Sequence, residues 1–327
     1  MRTLLFRKTG HTLPAAALSA LLLSTLPAQA ALAEGGGRQA PADSIAVVYP
    51  DIGEPYRKVF TEIIDGIEDE TRMRVRGYPV GPQADLSELR AQLRRSGSKL
   101  VIALGRQGVK AASGADLAAG MVVGGISSAP DSERLRGITL SPDPALLFSH
   151  LKALLPSLRR ITVVYNPQNS HSMIKLAQEA ARGQGLDLQA LEAADLAGAV
   201  RRYEQAFAGA DNRYDALWLP QDNTTVDEAI ILPMVLKESW NRSLPIFSSS
   251  MLHVKKGVLF ALYPNNFELG RELANLAVDV LNGDNARPGL TPLRSVRSAF
   301  NWRTANHIGL NLDAGRQRNF DAIFPEP

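Results

Sequence analysis

Residues 45–49 read IAVVY and residues 161–165 read ITVVY, so nearly the same apolar run occurs twice at an offset of 116 residues. Continuous Val- and Ile-rich runs of this length are typical of strands that are covered on both faces. A second pair keeps the same offset, because LVIALG at 100–105 aligns with ALWLPQ at 216–221. The repeat predicts two similar lobes built by duplication. The alternative is that Val- and Ile-rich strands resemble one another by chance.

Helical patterns alternate with these strands. After the first strand, apolar side chains recur at helical spacing from Tyr56 to Ile67. Further strands are predicted at 121–126, 244–247, 257–263 and 293–300, and a helix over 267–281 ends at Asn282-Gly283. Strands that alternate with helices indicate an α/β fold, with a parallel sheet and helices on both faces of each lobe.

The first thirty residues have the pattern of a secretory signal peptide. A basic start with Arg2, Arg7 and Lys8 precedes an apolar stretch over 13–26 and the small-x-small sequence Ala28-Gln29-Ala30. The apolar stretch is shorter than the roughly 20 residues that span a bilayer, which argues against a membrane anchor. We therefore expect cleavage of residues 1–30, with residues 31–43 as a flexible leader.

The charge balance changes when this segment is set aside. The whole chain has 36 basic and 33 acidic side chains, and the first thirty residues carry three basic and no acidic ones. The remaining chain is balanced, so nothing indicates a nucleic-acid partner. The chain has no cysteine, which excludes a lipid anchor on an N-terminal cysteine. We expect a periplasmic protein that does not insert into the membrane.

Residues 217–229, LWLPQDNTTVDEA, place five hydrogen-bonding side chains directly after a buried strand. In an open parallel sheet, ligands bind outside the carboxyl ends of the strands. Asn223 or Thr224 could cap the next helix, which runs through Trp240. A helix needs one such cap, so the remaining polar side chains are candidates for ligand binding.

Five further junctions have the same polar character, at 49–56, 104–108, 125–132, 165–172 and 247–251. Any one of them is explained by ordinary turn chemistry, but six on one sheet edge predict a polar cleft between the lobes. The candidate binding residues are Asp51, Gly105, Arg106, Gln107, Ser127, Ser128, Tyr165, Asn166, Asn169, Ser170, Asp222, Asn223, Thr224, Ser248 and Ser249.

Several stretches give the chain a family resemblance: GITLSPDPALLFSHLKALLPSLRRITVVYNPQNS (137–170), DALWLPQDNTTVDEA (215–229), LPIFSSS (244–250), KGVLFALYPNNFELGRELANLAVDVLNG (256–283) and ANHIGLNL (305–312). With these stretches the sequence resembles the bacterial ABC-transporter substrate-binding protein family with the type I periplasmic-binding fold. That group includes tryptophan- and phenylalanine-binding members.

The resemblance implies a clamp of two Rossmann-like lobes joined by a three-segment hinge. Lobe 1 would hold residues 44–139 and 263–289, and lobe 2 residues 140–262 and 290–327. A small polar ligand, amino-acid-like or related, would bind in the cleft and pass to an ABC permease in the inner membrane. Asp222 could receive a ligand ammonium group. A helix N-terminus with Ser127, Ser128 and residues 105–107 would suit a carboxylate.

The first lobe departs from the family pattern at two junctions. Many relatives have a Thr-Pro turn where this chain has Gly105-Arg106-Gln107-Gly108, and many have an Asp-Pro element where it has Ser128-Ala129-Pro130. Arg106 could contact an acidic group of the ligand or block the cleft. These departures indicate a ligand other than an aromatic amino acid.

Catalytic motifs are missing from the sequence. The histidines show no H-E-x-x-H spacing, and there is no G-x-S-x-G elbow, phosphate loop or G-x-G-x-x-G. We therefore expect no enzyme, no cofactor and no metal. The alternative to a solute carrier is a ligandless or sensory module of the same fold that docks on a membrane or cell-wall partner.

Overall fold

The computed structural model describes residues 45–54, 56–127, 134–283, 288–313, 315 and 318–326. The predicted signal peptide and leader lie outside these residues. No helix within the described ranges is long and apolar enough to cross a membrane.

The described strands form two sheets. The first sheet contains Ile45–Pro50 (β1), Arg76–Val80 (β2), Leu100–Leu104 (β3), Gly120–Ile126 (β4), Arg136–Pro142 (β5) and Gly289–Leu293 (β11). The second sheet contains Arg160–Tyr165 (β6), Asp187–Glu192 (β7), Asp215–Leu219 (β8), Ile246–Ser248 (β9), Phe260–Pro264 (β10), Val296–Asn301 (β12) and Ala322–Phe324 (β13).

Helices cover the faces of these sheets. The described helices are Tyr56–Thr71 (α1), Leu86–Arg95 (α2), Gly105–Ala112 (α3), Pro144–Leu154 (α4), Pro167–Gly183 (α5), Leu196–Ala208 (α6), Ile231–Arg242 (α7), Met251–Lys256 (α8), Asn266–Leu281 (α9) and Trp302–His307 (α10). All five residues of β3 and all five of β8 are buried, as expected for apolar strands covered on both faces.

The two sheets repeat one strand arrangement. The first has the order β11-β5-β4-β3-β1-β2 and the second β13-β12-β10-β9-β8-β6-β7, so the order 5-4-3-1-2 returns as 10-9-8-6-7. Ile45 pairs with Leu100, and Ile161 pairs with Ala216, which is the same register at the same offset of 116 residues. The described pairs are parallel except β10 with β12. The predicted architecture of two similar α/β lobes with parallel sheets is therefore confirmed.

The chain passes between the sheets three times in the described residues: after Pro142, after Pro264 and between Leu293 and Val296. The three passages lie side by side. The N–H of Asp143 donates to Leu293 O at 2.8 Å, and the N–H of Asn265 donates to Ser295 O at 3.1 Å. Each passage is thus hydrogen-bonded to another, and the two lobes share one narrow connecting region.

Two boundaries differ from the sequence prediction. β5 continues in the first sheet as far as Pro142, beyond the expected lobe boundary at residue 139. The single strand predicted over 293–300 is divided between β11 in the first sheet and β12 in the second. The division falls at Arg294 and Ser295, where the Ser295 backbone oxygen accepts the N–H of Asn265. The side chains of Arg294 and Ser295 bond to Asp143 and Glu272.

Helix α9 returns from the second sheet to pack against α1 of the first lobe. A Cβ at Gly66 would lie 1.9 Å from Phe267 O, and a Cβ at Gly270 would lie 2.0 Å from Ile63 O, so the two helices approach at a distance that only glycine permits. Arg271 also pairs with Glu70 at 2.7 Å, and this hydrogen bond lowers the pKa of the Glu70 carboxyl. The close contact fixes α9 to the first lobe.

Candidate functional site

A cleft of about 570 Å³ lies where the carboxyl ends of the two sheets face each other. The first-lobe wall is formed by α3 and by the ends of β4 and β5, and the second-lobe wall by the first turns of α5 and the end of β8. The polar side chains of the first wall are Arg106, Lys110, Ser127, Thr139 and Ser141. Those of the second wall include Asn169, Ser170, His171, Ser172, Gln221 and Ser249.

The start of α5 carries much of the second wall. Asn166 is its N-cap, because the Asn166 side-chain oxygen accepts the N–H of Gln168 at 2.8 Å. Pro167 follows at a first-turn position, where a missing N–H costs nothing. The tyrosine–asparagine–proline element of the sequence therefore starts the helix, and the next residues line the cleft.

The Asp222 carboxylate is buried, with 2% of the residue exposed, and it accepts four hydrogen bonds from the protein. Oδ2 accepts the Asn166 N–H at 2.7 Å and the Ser170 hydroxyl at 3.1 Å. Oδ1 accepts the Thr224 N–H at 3.0 Å and the Asn169 amide at 3.3 Å. The negative charge also complements the positive N-terminal end of α5.

Asp222 is absent from the residues that line the cleft. The start of α5 brings four donors within hydrogen-bond distance of the carboxylate, so its charge is satisfied inside the lobe. The expectation that Asp222 receives a ligand ammonium group stays a prediction.

Gln221, the residue before Asp222, connects the two walls instead. Its Oε1 accepts the hydroxyl of Ser127 at 3.2 Å and that of Ser141 at 3.4 Å, both from the first lobe. Its Nε2 donates to the backbone oxygen of Ser249 in the second lobe at 3.0 Å. Gln221 was not among the predicted site residues, although it belongs to the polar run after β8.

The predicted residues of the first lobe divide into two groups. Arg106 and Ser127 line the cleft. Gly105 has φ +68°, and an added Cβ would lie 3.0 Å from Pro50, so its role is to shape the chain between β3 and α3. Gln107 and the exposed Asp51 do not line the cleft. Ser128 lies outside the described residues.

The predicted residues after β6 also differ in position, because some line the cleft and others do not. Asn169 and Ser170 line the cleft while bonding to Asp222. Tyr165 is buried, and its hydroxyl donates to Glu192 at 2.9 Å. Burial, together with that hydrogen bond to Glu192, raises the pKa of Tyr165 to about 12. Asn166 is used as a helix cap, so neither it nor Tyr165 faces the cleft.

The junction after β8 has a different structure from the one expected. Asn223 is exposed, and Thr224 accepts the Asn169 amide at 3.2 Å, but neither lines the cleft. Neither caps the next helix, which begins only at Ile231. Asp227 accepts the N–H groups of Ala229 and Ile230 just before it, at 3.0 and 2.7 Å. Residues 222–226 form a tight turn that supports the Asp222 network.

Ser248 and Ser249 follow β9 and have different roles. Ser249 lines the cleft. Ser248 is buried, and its hydroxyl contacts His253 Nδ1 at 2.7 Å, away from the cleft. Burial lowers the pKa of His253, which favours the neutral ring.

Several lining residues were not predicted from the sequence. They include Lys110, Thr139, Ser141, Gln168, Trp218 and Gln221. Lys110 could have been found, because it lies one helical turn after Arg106 and so shares its face of α3. Thr139 and Ser141 could not, since both lie within β5 rather than after it.

The cleft combines positive charge with apolar surface. Arg106 and Lys110 line it, and no aspartate or glutamate does so among the described lining residues. Val109, Met173 and Leu176 add apolar surface. No cluster of three or more His, Asp or Glu side chains in the described residues could hold a metal ion. The arrangement can bind an organic solute through hydrogen bonds, charge and apolar contact.

Comparison with known proteins gives a family and a fold. Residues 147–301 match the model of the family described as ABC transporter substrate binding protein. No curated protein matches the sequence significantly.

Solved structures with a similar fold come from several bacteria. An ABC domain from Streptococcus pneumonia in complex with L-Trp has 19% identity and a TM-score of 0.56, over 86% of this chain and 99% of that one. A ligand-free, open substrate binding protein with adhesive properties from Clostridium difficile has 18% identity and a TM-score of 0.60, over 85% and 98%. A periplasmic ribose ABC transporter protein from Conexibacter woesei has 11% identity and a TM-score of 0.53, over 85% and 98%.

These matches confirm the resemblance predicted from the sequence. The solved structures show the type I periplasmic-binding fold, and the family match adds support for a solute-binding role. The matched family is one of binding proteins and not of enzymes.

Proposed function

We propose that this chain, whose residues 147–301 match the ABC transporter substrate binding protein family, captures a small polar organic solute between its lobes and delivers it to an ABC permease. The solute is amino-acid-like or related. The solute is released without chemical change, because the role of the cleft is to select and transfer it.

The cleft between the two sheets is the observation that carries this proposal. Its volume of about 570 Å³ falls within the range of roughly 300–1,000 Å³ that is usual for small-molecule sites. Both lobes supply hydrogen-bonding side chains to it. A solute in this position would contact both walls at once, and its binding energy would favour approach of the lobes.

Lobe closure is the movement that the connections allow. The three adjacent passages between the sheets are suited to act as a hinge, since short connecting segments can absorb a rotation of one lobe against the other. Gln221 already bonds to hydroxyls of the opposite lobe. In this proposal the permease recognises the closed, loaded form.

The proposed place of action is the periplasm. Residues 1–30 would direct export and be removed, and the remaining chain would work without a lipid anchor, since it has no cysteine. Its partners would be the solute and a permease in the inner membrane. No nucleic acid takes part.

A thermal-shift screen of amino acids, small carboxylates and short peptides tests the proposal. A solute present at a hundred times its dissociation constant stabilises the folded chain by about 2.7 kcal/mol. Gln168→Trp places an indole at an exposed position that lines the cleft, and it should abolish the shift. Lys175→Trp makes the same change at an exposed residue of α5 that does not line the cleft, and it should leave the shift intact.

Failure of every compound class to shift the melting midpoint would contradict the proposal. It would favour the alternative of a ligandless or sensory module that docks on a membrane or cell-wall partner. A shift that persists unchanged in Gln168→Trp would place the binding site outside the cleft.

A further inference from the structure

We infer that the two lobes close on an apolar contact, in which Tyr56 of the first lobe packs against Ile230 and Leu252 of the second. The inference rests on the lobe closure of the proposed function and goes beyond it by naming the surfaces that meet. Three observations lead to it: the exposure of these side chains, the sheet face on which each lies, and the strand ends that each lies over.

Tyr56, Ile230 and Leu252 are large apolar side chains that are 65%, 52% and 54% exposed. One such side chain on a surface is ordinary, but these three share a location. Tyr56 opens α1 after β1, Ile230 directly precedes α7 after β8, and Leu252 is the second residue of α8 after β9. All three therefore lie at the carboxyl edges of the sheets, where the lobes face each other, and none of them lines the cleft.

Ile230 and Leu252 lie beside each other in the second lobe. Lys256 is one helical turn after Leu252 and so shares its face of α8. Its Nζ pairs at 2.9 Å with Oε2 of Glu228, two residues before Ile230. This ion pair holds the approach to α7 against the face of α8 that carries Leu252, so the two apolar side chains form one patch.

Helix packing shows on which side of the molecule these residues lie. In the first sheet, α1 and α9 cover one face, and α2 and α3 cover the other. In the second sheet, α4 and α5 cover one face, and α6, α7 and α8 cover the other. Because α3 and α5 line the same cleft, their two faces lie on the same side of the molecule. The faces of α1 and of α7 and α8 therefore share the opposite side.

The first turn of α1 lies over the ends of β3 and β4. A Cβ added at Gly105 would lie 3.2 Å from the Phe60 ring, and one added at Gly125 would lie 3.4 Å from it. Gly105 directly follows β3, and Gly125 is the second-last residue of β4. Tyr56 is one helical turn before Phe60 on the same face of α1. The Tyr56 side chain is therefore placed near these two strand ends.

The repeated strand order places the patch opposite Tyr56. The order 5-4-3 of the first sheet returns as 10-9-8 in the second, and β5 and β10 both lead into the connecting region. The ends of β3 and β4 therefore face those of β8 and β9, which precede Ile230 and Leu252. Rotation about the connecting region brings Tyr56 towards the patch, and their contact removes apolar surface from water, which stabilises the closed form.

Disulfide cross-linking tests the contact without any solute. The chain has no cysteine, so an introduced pair can react only with itself. The test pairs are Tyr56→Cys with Ile230→Cys and Tyr56→Cys with Leu252→Cys. The control pair is Tyr56→Cys with Leu176→Cys, because Leu176 is an exposed residue of the second lobe on the α5 side. The full-length proteins are oxidised at low concentration with copper phenanthroline, and mass spectrometry after alkylation follows the intramolecular disulfide with time.

We expect both test pairs to form the disulfide at least about tenfold faster than the control pair, because the bond requires the two Cα atoms to approach within about 7 Å. A third substitution separates apolar contact from mere proximity. Leu252→Ser in the protein with the 56 and 230 cysteines should slow the reaction about fivefold, since it removes part of the apolar surface that closure buries. Leu176→Ser in the same protein should leave the rate unchanged.

The inference is overturned if the control pair reacts as fast as the test pairs, or if neither test pair forms an intramolecular disulfide. Disulfides that form only between chains would assign the patch to a second copy and would also overturn it, as would an unchanged rate with Leu252→Ser. These results leave solute binding untouched, because no solute is present. Solute binding fails only if the wider screen finds no solute or if Gln168→Trp leaves binding unchanged.

Discussion

The Asp222 carboxylate oxygen Oδ2 lies 2.7 Å from the backbone nitrogen of Asn166, and this contact joins the turn after β8 to the start of α5. The two residues are 56 positions apart in the chain. Asp222 follows the end of β8, and through this contact it supports the start of α5. The start of α5 forms part of the second wall of the cleft.

Replacement of Asp222 should therefore affect folding. Asp222→Ala leaves up to four donors without their acceptor, at about 1–3 kcal/mol for each group that remains buried and unsatisfied. We expect a loss of about 3 kcal/mol in the free energy of unfolding, measured by denaturant titration. Asn223→Ala, at the exposed neighbouring residue, should change it by less than about 0.5 kcal/mol.

A variant Asp222→Ala with unchanged stability and strongly reduced affinity for a solute would contradict this account. It would mean that the carboxylate serves the ligand, as the sequence alone had suggested.

The contact between α1 and α9 gives a prediction about the first lobe. Gly270→Ala places a Cβ 2.0 Å from Ile63 O, so the helices must separate. Overpacking of this kind costs about 1–3 kcal/mol, and thermal unfolding should show a lowered midpoint. Gly183→Ala at the end of α5 has nothing within 4 Å of the new Cβ and should leave the midpoint unchanged or slightly raised. Equal midpoints for the two variants would contradict the close contact.

Gln221 should influence the separation of the lobes. Gln221→Leu removes the acceptor for the hydroxyls of Ser127 and Ser141, two bonds that each contribute about 0.5–1.5 kcal/mol. We expect a larger radius of gyration for the ligand-free variant in small-angle X-ray scattering. Gln107→Leu, at a glutamine that does not line the cleft, is the control and should match the unaltered protein. Identical radii for Gln221→Leu and the unaltered protein would show that these bonds do not hold the lobes.

His253 should make stability depend on pH. Burial lowers its pKa in the folded state below the value of 6.5 for an unperturbed histidine, and Lys256 acts in the same direction while Glu228 opposes it. The unfolded chain therefore binds a proton first as the pH falls. The stabilising contribution is complete above about pH 6.5 and is lost as the pH falls towards the folded-state pKa.

We expect the free energy of unfolding to fall between about pH 7 and pH 5, and His253→Gln to reduce that slope. His150→Gln, at an exposed histidine of α4, is the matched substitution for comparison. An unchanged slope in His253→Gln would show that His253 is not the group responsible.

The fold was largely predictable because short apolar runs in the sequence correspond to its buried strands. The runs at 45–49 and 161–165 are continuously apolar, and their common offset reproduces the observed pairing of Ile45 with Leu100 and Ile161 with Ala216. The strand predicted over 293–300 was wrong because its division depends on partners of Arg294 and Ser295 that are distant in sequence.

The site was predictable only as a region. Polar junctions correctly indicated the edge on which the cleft lies, because the carboxyl ends of parallel strands share an edge. The sequence could not show which polar side chain faces the cleft. Gln221 and Asp222 are adjacent and both polar, and what separates their roles is the direction in which each side chain points in the fold. Asp222 turns to the donors at the start of α5, whereas Gln221 reaches the opposite lobe.

Native mass spectrometry after incubation with a small-molecule extract of bacterial cells tests the central claim most directly. We expect one additional small mass per chain on the unaltered protein and on Lys175→Trp, and its loss from Gln168→Trp, in which an indole is placed in the cleft. No bound mass on the unaltered protein, or equal amounts on all three proteins, would contradict a solute-binding cleft between the lobes.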